Sequence, residues 1–442
     1  LRGLFIALTV FPILTNSVVR SFAWMSILGK NGVINTLLMK LNLITEPLSL
    51  LYTEGAIIVG TVYIFLPLMI ISLVGVMENV ENDLLEAAES LGANKIVAFF
   101  KVIFPLSLPG LIVGTVLVFT GALTAYTTPQ LLGGNKNTVL ATLIYQKTMT
   151  LGDWQGAAVV ATIMIVVTLI VVKTINFLVF LKMKKSKFLT AFVVLVYIFL
   201  FAPLVIIAMT SIGTENYIAF PPKGFSLQWF MNVFTSESFM NSMITSLGIS
   251  TIATVIALII GMPAAYGLSR FDFKGKSLLK NFFFSPLMIP AIVVGFSLFQ
   301  FLLVKLNLTV TSSLLIGHTL VIIPYIIRVV GSSLEVFDYA IEEAAMSLGC
   351  KKSQTFFKVV LPNITSGVMA AFMLAFINSF NNVPVSMFLT GPGVSTLPIT
   401  MMNYVEYNYD PTVSALSVIL MILTIGIMYI LEKTLGLSNF SA

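Results

Sequence analysis

The sequence has few of the residues from which most enzyme sites are built. Of its 442 residues only 10% are charged, and it has a single cysteine, Cys350, and a single histidine, His318. One cysteine excludes an internal disulfide and a cysteine cluster for zinc or an iron–sulfur centre. One histidine argues against a histidine-based metal site, so we expect no resident metal. The pattern G-x-x-x-x-G-K-[ST] occurs nowhere in the sequence, so the chain has no P-loop of its own and no nucleotide cofactor is expected on it.

Apolar residues are abundant instead. They make up 58% of the chain, and the mean hydropathy is +1.02. A soluble domain needs far more polar surface, so the composition predicts an integral membrane protein embedded in a lipid bilayer. Apolar runs of roughly 20 residues predict an all-α fold with about ten membrane helices. They are expected at 4–28, 55–77, 106–127, 156–181, 188–210, 242–266, 282–304, 313–333, 363–388 and 413–432.

The loops between these helices differ in charge. Thirteen lysines and arginines lie in the loops 78–105, 182–187, 269–281 and 334–362, and only six lie in the others. Basic residues are enriched on the cytoplasmic side of a membrane, so these four loops are predicted to be cytoplasmic. The net charge of +6 is then a topology signal, and we expect no nucleic-acid partner. The loops predicted to be external are 29–54, 128–155, 211–241, 305–312 and 389–412.

The chain repeats itself at an offset of 257 residues. The offset places Glu86-Ala87-Ala88 on Glu343-Ala344-Ala345 and the "FFKV" at 99–102 on the "FFKV" at 356–359. Proline, glycine and aspartate stay in step elsewhere, as in Gly60 with Gly317, Pro105 with Pro362 and Asp153 with Asp410. Composition alone cannot keep such residues aligned over about a hundred positions, so the chain is predicted to be a tandem duplication.

The offset also keeps paired segments on the same side of the membrane, which predicts parallel repeats. We expect a first domain at 1–182, a basic cytoplasmic linker at 183–187 and a second domain at 188–442. Nothing in the first half corresponds to residues 188–268. We therefore expect the first repeat to be N-terminally incomplete, with about four membrane helices against about six in the second.

The repeated "EAA" segments predict a short cytoplasmic helix followed by a glycine turn. Asp83 is placed to cap the first helix, with Glu86 completing a capping box. Gly92 and Gly349 suit the left-handed residue that ends a helix. The alanine pairs leave space for another backbone to approach. A solvated loop helix would account for one such segment, but two copies in register favour a docking element.

At these residues the sequence resembles the type I ABC importer permeases. In that family the EAA loop forms a coupling helix that sits in a groove of the cytoplasmic ATPase. The resemblance covers essentially the whole chain, as two fused permease domains of the MetI-like transmembrane fold. It implies two ABC ATPase subunits that use ATP and Mg, an extracytoplasmic solute-binding protein, a non-catalytic role for this chain, and a multi-pass location in a bacterial inner membrane. The docking positions carried over are Glu86, Ala87, Ala88, Gly92, Glu343, Ala344, Ala345 and Gly349.

The segments "VVRSFAWMSILGKNGVIN" and "LTAYTTPQLLGG" are similar to the first permease of spermidine/putrescine-type systems, and "FNNVPVSMFLTGPGVSTLPITMMNYVEY" is similar to the second. The resemblance implies a polyamine or related small amine as substrate. Permeases for opines, aminoethylphosphonate, thiamine and ferric iron are similar as well, and they remain alternatives.

Acidic and aromatic residues near the external ends of the helices would suit a cationic amine. An interfacial aromatic belt with solvated acids explains the same composition. Asn381 and Asn382 are predicted at membrane depth, where they would line a pathway or bond a neighbouring helix. The candidate pathway residues are Tyr126, Asp153, Trp154, Asn381, Asn382, Tyr404, Glu406 and Asp410.

Other transport classes fit less well. An ion-coupled secondary transporter would normally carry intramembrane acids or broken helices for its coupling ion, and the sequence predicts neither. A channel would need a filter loop or a charged ring, and none is recognisable. The mechanism expected is alternating access driven by a separate ATPase.

Overall fold

The computed structural model describes residues 9, 11–77, 82–90, 92–178, 189–218, 220–408 and 410–435, and these are overwhelmingly helical. Within them the only β contact is an isolated bridge between Gly391 and Val394. The first half contains α1 (Ser17–Leu28), α2 (Val33–Lys40), α3 (Glu54–Met77), α4 (Asn82–Ser90), α5 (Lys95–Ala98), π1 (Phe99–Ile103), α6 (Phe104–Thr124), α7 (Thr127–Gly133), α8 (Leu140–Tyr145), π2 (Gln146–Thr150) and α9 (Trp154–Leu178).

The second half begins with helices that have no counterpart among the described residues of the first. They are α10 (Leu189–Thr210), α11 (Gln228–Thr235) and α12 (Glu237–Arg270). The elements that follow are α13 (Lys276–Met288), α14 (Ala291–Leu298), π3 (Phe299–Lys305), α15 (Val310–Val336), α16 (Tyr339–Ser347), α17 (Lys352–Thr355), π4 (Phe356–Val360), α18 (Leu361–Asn363), α19 (Thr365–Phe380), α20 (Ser386–Leu389), α21 (Leu397–Tyr407) and α22 (Thr412–Leu435).

The described residues include three straight helices long and apolar enough to cross a membrane, α3, α12 and α15. Two bent pairs raise this number to five when each pair is counted as one span. One pair joins Lys276–Leu287 to Ala291–Lys305 at 92°, and the other joins Lys352–Asn363 to Thr365–Phe380 at 76°. Shorter apolar helices lie within the other predicted spans, for example Trp154–Thr168, Ile198–Thr210 and Thr412–Gly426. The beginning of the span predicted at 4–28 lies outside the described residues.

Two predicted spans were wrong as single helices. The helix expected at 282–304 breaks after Met288, because Ile289 has ψ 136° and precedes Pro290, which disfavours helical geometry in the residue before it. The helix expected at 363–388 ends at Phe380. Asn381 and Asn382 therefore do not lie inside a helix. Asn382 Oδ1 accepts a hydrogen bond from Val385 N at 3.0 Å, which holds the turn that follows.

The two halves share one internal pattern, element by element. The bounds of α4, α5 and π1 each become those of α16, α17 and π4 when 257 is added. Further upstream the matching changes offset: "KLNL" occurs at 40–43 and at 305–308, and Asn42 and Asn307 both have positive φ, 53° and 49°. The offset there is 265, so the stretch between this turn and the paired glycines Gly60 and Gly317 is eight residues longer in the first half. Sequence comparison at the single offset of 257 missed this turn.

The chain forms two compact units, Leu1–Val233 with Met402–Met421, and Phe234–Met401 with Ile422–Ala442. In the first unit α1 packs on α3 and α10 through an aromatic cluster. The ring centroids of Trp24 and Tyr63 are 5.7 Å apart, and those of Trp24 and Phe199 are 5.1 Å apart. The Tyr63 hydroxyl donates to Leu200 O at 3.0 Å, which satisfies its polar end inside an apolar core. The predicted linker at 183–187 lies outside the described residues, and the domain boundary stays a prediction.

In the second unit α12, α15 and α19 pack closely because their shared face is built of small residues. Ala253, Ala257, Ala371 and Ala375 are all fully buried there, and small side chains let helix backbones approach where lipid gives no hydrophobic drive. His318 is buried on α15 and its two ring nitrogens lie 2.8 Å from Ser379 Oγ and 3.0 Å from Ser386 Oγ. This histidine is a bridge between helical segments.

Candidate functional site

The two EAA segments form the same helix and the same turn. Gly92 has φ +85° and Gly349 has φ +90°, so both glycines adopt the predicted left-handed conformation, in which a Cβ would be strained. Gly92 N donates to Glu89 O at 2.9 Å and Ala93 N to Ala88 O at 3.0 Å. Gly349 and Cys350 make the equivalent bonds to Met346 O at 3.0 Å and Ala345 O at 3.2 Å. Both are Schellman motifs, which close the last turn and redirect the chain.

The beginning of the first helix differs from expectation. Because α4 starts at Asn82, Asp83 lies inside the first turn and is not the N-cap, so the predicted Asp83–Glu86 capping box was wrong. In the second loop Asp338 is the N-cap, and its Oδ1 accepts from Ala340 N at 2.9 Å. Residues 78–81, which precede α4, and the Glu86 side chain lie outside what the structure describes.

The alanines that carry the motif lie in equivalent places in the two loops. Ala87 and Ala344 are exposed, and Ala88 and Ala345 are half-buried. Large apolar side chains are also exposed, at Leu84 and at its repeat partner Ile341, which are 43% and 46% accessible. Since three residues separate neighbours on one helix face, each loop presents an apolar stripe, Leu84–Ala87 or Ile341–Ala344. Sequence reasoning missed Leu84 and Ile341, although their spacing from the alanines was available.

Leu348 extends the second stripe. It is 88% accessible and follows Ala344 by four residues, so it continues the same face. Exposed apolar groups on a polar loop mark an interaction surface.

Arg270, at the end of α12, ties the second loop to that long helix. Its Nε lies 3.3 Å from Oε2 of the buried Glu342, and its Nη2 donates to Glu343 Oε1 at 2.8 Å. The Tyr266 hydroxyl also donates to Glu342, and the Arg270 guanidinium stands 4.9 Å from the Tyr339 ring centre. One planar cation thus serves two carboxylates, which suits the forked geometry of arginine. Glu343, predicted to dock a partner, is paired within its own chain.

Two of the acidic pathway candidates have local partners. Asp153 Oδ1 accepts from Gly156 N at 2.8 Å and Oδ2 accepts from Lys147 Nζ at 2.8 Å. The hydrogen bond from Lys147, and then that from Gly156, lower the pKa of Asp153. Its repeat partner Asp410 accepts from the Tyr404 hydroxyl at 2.7 Å and from Thr412 N at 2.8 Å. Burial and the bond to Asp410 raise the pKa of Tyr404 to about 12. Both aspartates act as caps at the start of a long helix, and Trp154 is the half-buried first residue of α9.

Glu406 has a different environment, at two adjoining cavities in the first unit. The larger cavity, of about 450 Å³, is lined by residues that include Met25, Tyr52, Lys136 and Glu406. The smaller, of about 320 Å³, is lined by Tyr145, Thr142, Gln146 and Glu406 among others. Gln130, Gly134, Asn135 and Glu406 belong to both. Tyr126 is buried next to Tyr145, with ring centroids 5.2 Å apart. Of the eight pathway candidates, Glu406 is the one that lines these two cavities.

The negative charge of Glu406 also raises the pKa of the tyrosines around it. Burial, and then the charge of Glu406, raise the pKa of Tyr52. Burial, and then the charge of Glu406, also raise the pKa of Tyr145. These phenols therefore stay neutral at physiological pH. Tyr52 and Gln130 were not predicted from sequence, because neither carries a charge that would single it out.

Comparison with known proteins identifies the class to which these features belong. The family model for the binding-protein-dependent transport system inner membrane component matches residues 1–185 and 257–436. The chain belongs to this family of ABC importer permeases, and the two matched segments confirm the tandem, all-helical fold class expected from the sequence. The family is one of multi-pass transport proteins of the inner membrane.

Curated relatives support a narrower likeness. The chain is 31% identical over 239 residues to the spermidine/putrescine transport system permease protein PotC of Haemophilus influenzae, an alignment that covers 54% of this chain and 92% of PotC. It is 37% identical over 171 residues to PotB of the same organism, covering 38% of this chain and 60% of PotB. The predicted resemblance to this permease pair is confirmed.

Among solved structures, a bacterial ABC transporter involved in the import of the acidic polysaccharide alginate is similar to 57% of this chain and 99% of its own, with 19% identity and a TM-score of 0.45.

Proposed function

We propose that this chain forms the translocation pathway of an ATP-driven importer for a polyamine such as spermidine or putrescine, or for a related small amine. The observation that carries the substrate class is the likeness to PotC over 92% of that protein's length, joined by the likeness to PotB. The acidic and tyrosine-lined cavities at Glu406 are chemically suited to an ammonium ion.

Two separate ABC ATPase subunits would supply the energy, one at each EAA loop. The paired helices α4 and α16, with their exposed apolar stripes, support this assignment because they offer two surfaces of one design. ATP and Mg would bind to those subunits, since the sequence has no P-loop. This chain would carry out no chemistry itself.

An extracytoplasmic binding protein would deliver the solute on the opposite face of a bacterial inner membrane. In the cycle we propose, ATP closes the two ATPases and α4 and α16 carry that movement into the long helices. The cavity then opens toward the binding protein, and hydrolysis returns it to the inward state. The attachment of α16 to α12 through Arg270 supports a rigid transmission at the second loop.

Reconstitution tests this function directly. The full permease would be assembled in lipid vesicles with the ATPase and the binding protein encoded beside its gene, and uptake of labelled spermidine and putrescine measured with and without internal ATP. We expect ATP-dependent uptake of at least one of the two. Uptake of thiamine, ferric iron, an opine or aminoethylphosphonate, and not of a polyamine, would show that the proposed substrate class is wrong. Uptake driven by an ion gradient without ATP would refute the transporter class.

A further inference from the structure

Three acidic residues lie near the start of the last helix of a repeat. Asp153 and Asp410 lie just before α9 and α22, and Glu406 lies in α21, the helix that precedes α22. The three differ in whether their carboxylates have partners. Asp153 is bonded to Lys147 and Gly156, and Asp410 to Tyr404 and Thr412. No hydrogen bond or ion pair reaches the Glu406 carboxylate from the part of the chain that the structure describes. Glu406 is thus the one of the three whose charge is available to a ligand.

Glu406 stands where the two cavities adjoin. The groups common to both are two amides, Gln130 and Asn135, the backbone at Gly134, and the Glu406 carboxylate. The amide groups are close to each other, since Gln130 Nε2 lies 3.4 Å from Asn135 Oδ1. Carboxylate and amide oxygens accept hydrogen bonds from an ammonium group, which has three donors and no acceptor. The shared wall of the cavities is therefore an acceptor-rich site.

Tyr52 provides an aromatic wall whose position is fixed by the backbone. It has φ +61°, a conformation that is rare for residues other than glycine. Its N–H donates to Leu132 O at 2.9 Å, and its carbonyl accepts from Asn137 Nδ2 at 2.8 Å. A Cβ built on Gly134 would lie 2.9 Å from Tyr52 Cδ1, so the ring lies against the glycine backbone. Strained residues held in this way are common at ligand sites.

The two cavities contain few charged groups. The tyrosines stay neutral, and the charged residues among the lining groups are Glu406 and Lys136. Lys136 is exposed and lines only the larger cavity. The smaller cavity therefore contains a carboxylate with no cation beside it among the described residues.

We propose that these adjoining cavities bind the primary ammonium groups of a linear aliphatic polyamine, with the Glu406 carboxylate as counter-charge and the Tyr52 ring as the face beside the alkyl chain. The choice of a polyamine as the ligand rests on the proposed function, whereas the carboxylate, amide and aromatic lining is a property of the cavities themselves. A chain with amines at both ends can put one ammonium group against Glu406 in the smaller cavity and lay its methylenes along Tyr52 in the larger. Asp153 and Asp410 bind no substrate.

Thiol labelling tests this site without relying on transport. The chain's one cysteine is Cys350, so Cys350→Ser with Thr138→Cys places a single thiol in the wall of the smaller cavity without changing a group that the proposal uses. The rate at which a water-soluble maleimide labels this thiol would be measured in the assembled permease–ATPase complex, with and without spermidine or putrescine. A neutral diol of similar length controls for crowding. Glu406→Gln is then added, and Glu46→Gln, an exposed residue that lines neither cavity, is the matched control.

We expect polyamines, and not the diol, to slow labelling. Glu406→Gln should raise the concentration for half-protection about tenfold, the loss expected for one charge-assisted hydrogen bond, and Glu46→Gln should leave it unchanged. Equal protection with and without the Glu406 carboxylate, or no protection by any polyamine, would overturn the proposal. Protection that depends on Glu406 in a complex that imports no polyamine would support the site and refute the proposed function.

Discussion

At the scale of single residues, the turns that end α4 and α16 require glycine because their backbone is left-handed at Gly92 and Gly349. Gly349 has φ +90° and nothing lies within 4 Å of a Cβ built on it. A side chain there would meet no neighbour, so any cost of substitution comes from the left-handed backbone alone.

Gly349→Ala should therefore destabilise the second loop by about 1–2 kcal/mol. The matched control is Gly331→Ala within α15, where a Cβ also meets nothing but φ is helical. Alanine there should be neutral or stabilising by up to about 1 kcal/mol. Thermal unfolding of the purified permease measures both, and equal effects of the two substitutions would contradict the backbone argument.

The Asp153 cap predicts a pH dependence. Because its pKa is lowered in the folded chain, its stabilising effect is fully present above the pKa of an unfolded aspartate, about 3.9. The effect is lost as the pH falls through the lower, folded value. Asp153→Asn keeps a capping side chain but removes the bond to Lys147. We expect the variant to be less stable at pH 7, and the difference to shrink once the pH falls below about 3.9 and to be lost below the folded pKa of Asp153. A difference that grows at low pH would show that another group is responsible.

At the scale of helices, the second EAA loop depends on a contact between α16 and α12. Glu342 is buried; Arg270 neutralises its charge, and the Tyr266 hydroxyl donates a hydrogen bond to it. A buried carboxylate that loses its cation is costly because water no longer solvates it.

Arg270→Met should lower the free energy of unfolding by about 2–3 kcal/mol, less than for a fully buried pair because the arginine is partly exposed. Arg270→Lys should recover only part of the loss, since one ammonium cannot serve both Glu342 and Glu343. Lys276→Met is the control: its partner Asp272 is exposed in an i,i+4 pair, and the effect should stay within about 0.5 kcal/mol. Equal stability of Arg270→Met and Lys276→Met would mean that Arg270 does not hold the loop.

At the scale of the whole molecule, the chain has two EAA helices, α4 and α16, of the same length, in the same register, with the same exposed and half-buried alanines. In the proposed importer each helix binds one ATPase. A substitution that blocks one of the two helices should therefore release one ATPase and leave the other bound.

Ala87→Trp alone or Ala344→Trp alone should reduce the copurified ATPase from two subunits to one, and the double variant should retain none, because an indole fills the space that each alanine leaves for the partner. Ser277→Trp, at an exposed site on another predicted cytoplasmic segment, is the control. Native mass spectrometry of the detergent-solubilised complex counts the subunits. Two ATPases bound to the double variant would rule out docking at these stripes.

Periodicity, charge bias and the 257-residue offset were sufficient to predict a helical membrane protein with a repeated EAA helix and its left-handed glycines. These features are local: they depend on burial in lipid and on backbone conformations that neighbouring residues dictate. The breaks after Met288 and Phe380 were missed although Pro290 and the pair Asn381-Asn382 mark them, because each break interrupts an apolar run only briefly and the run was predicted as one span from its length.

The sequence by itself determined the fold class, the repeat and the two EAA helices, because the helices follow from the order of residues along a few turns of chain and the repeat from one fixed offset. Only the tertiary structure decided which acid faces a cavity. Asp153 and Asp410 are bonded to Lys147 and Tyr404, each six residues away along the chain, whereas Gln130, Asn135 and Tyr52 come from distant segments to form the cavity wall beside Glu406. Segments so far apart are brought together by packing, and no spacing along the chain encodes the cavity that they form.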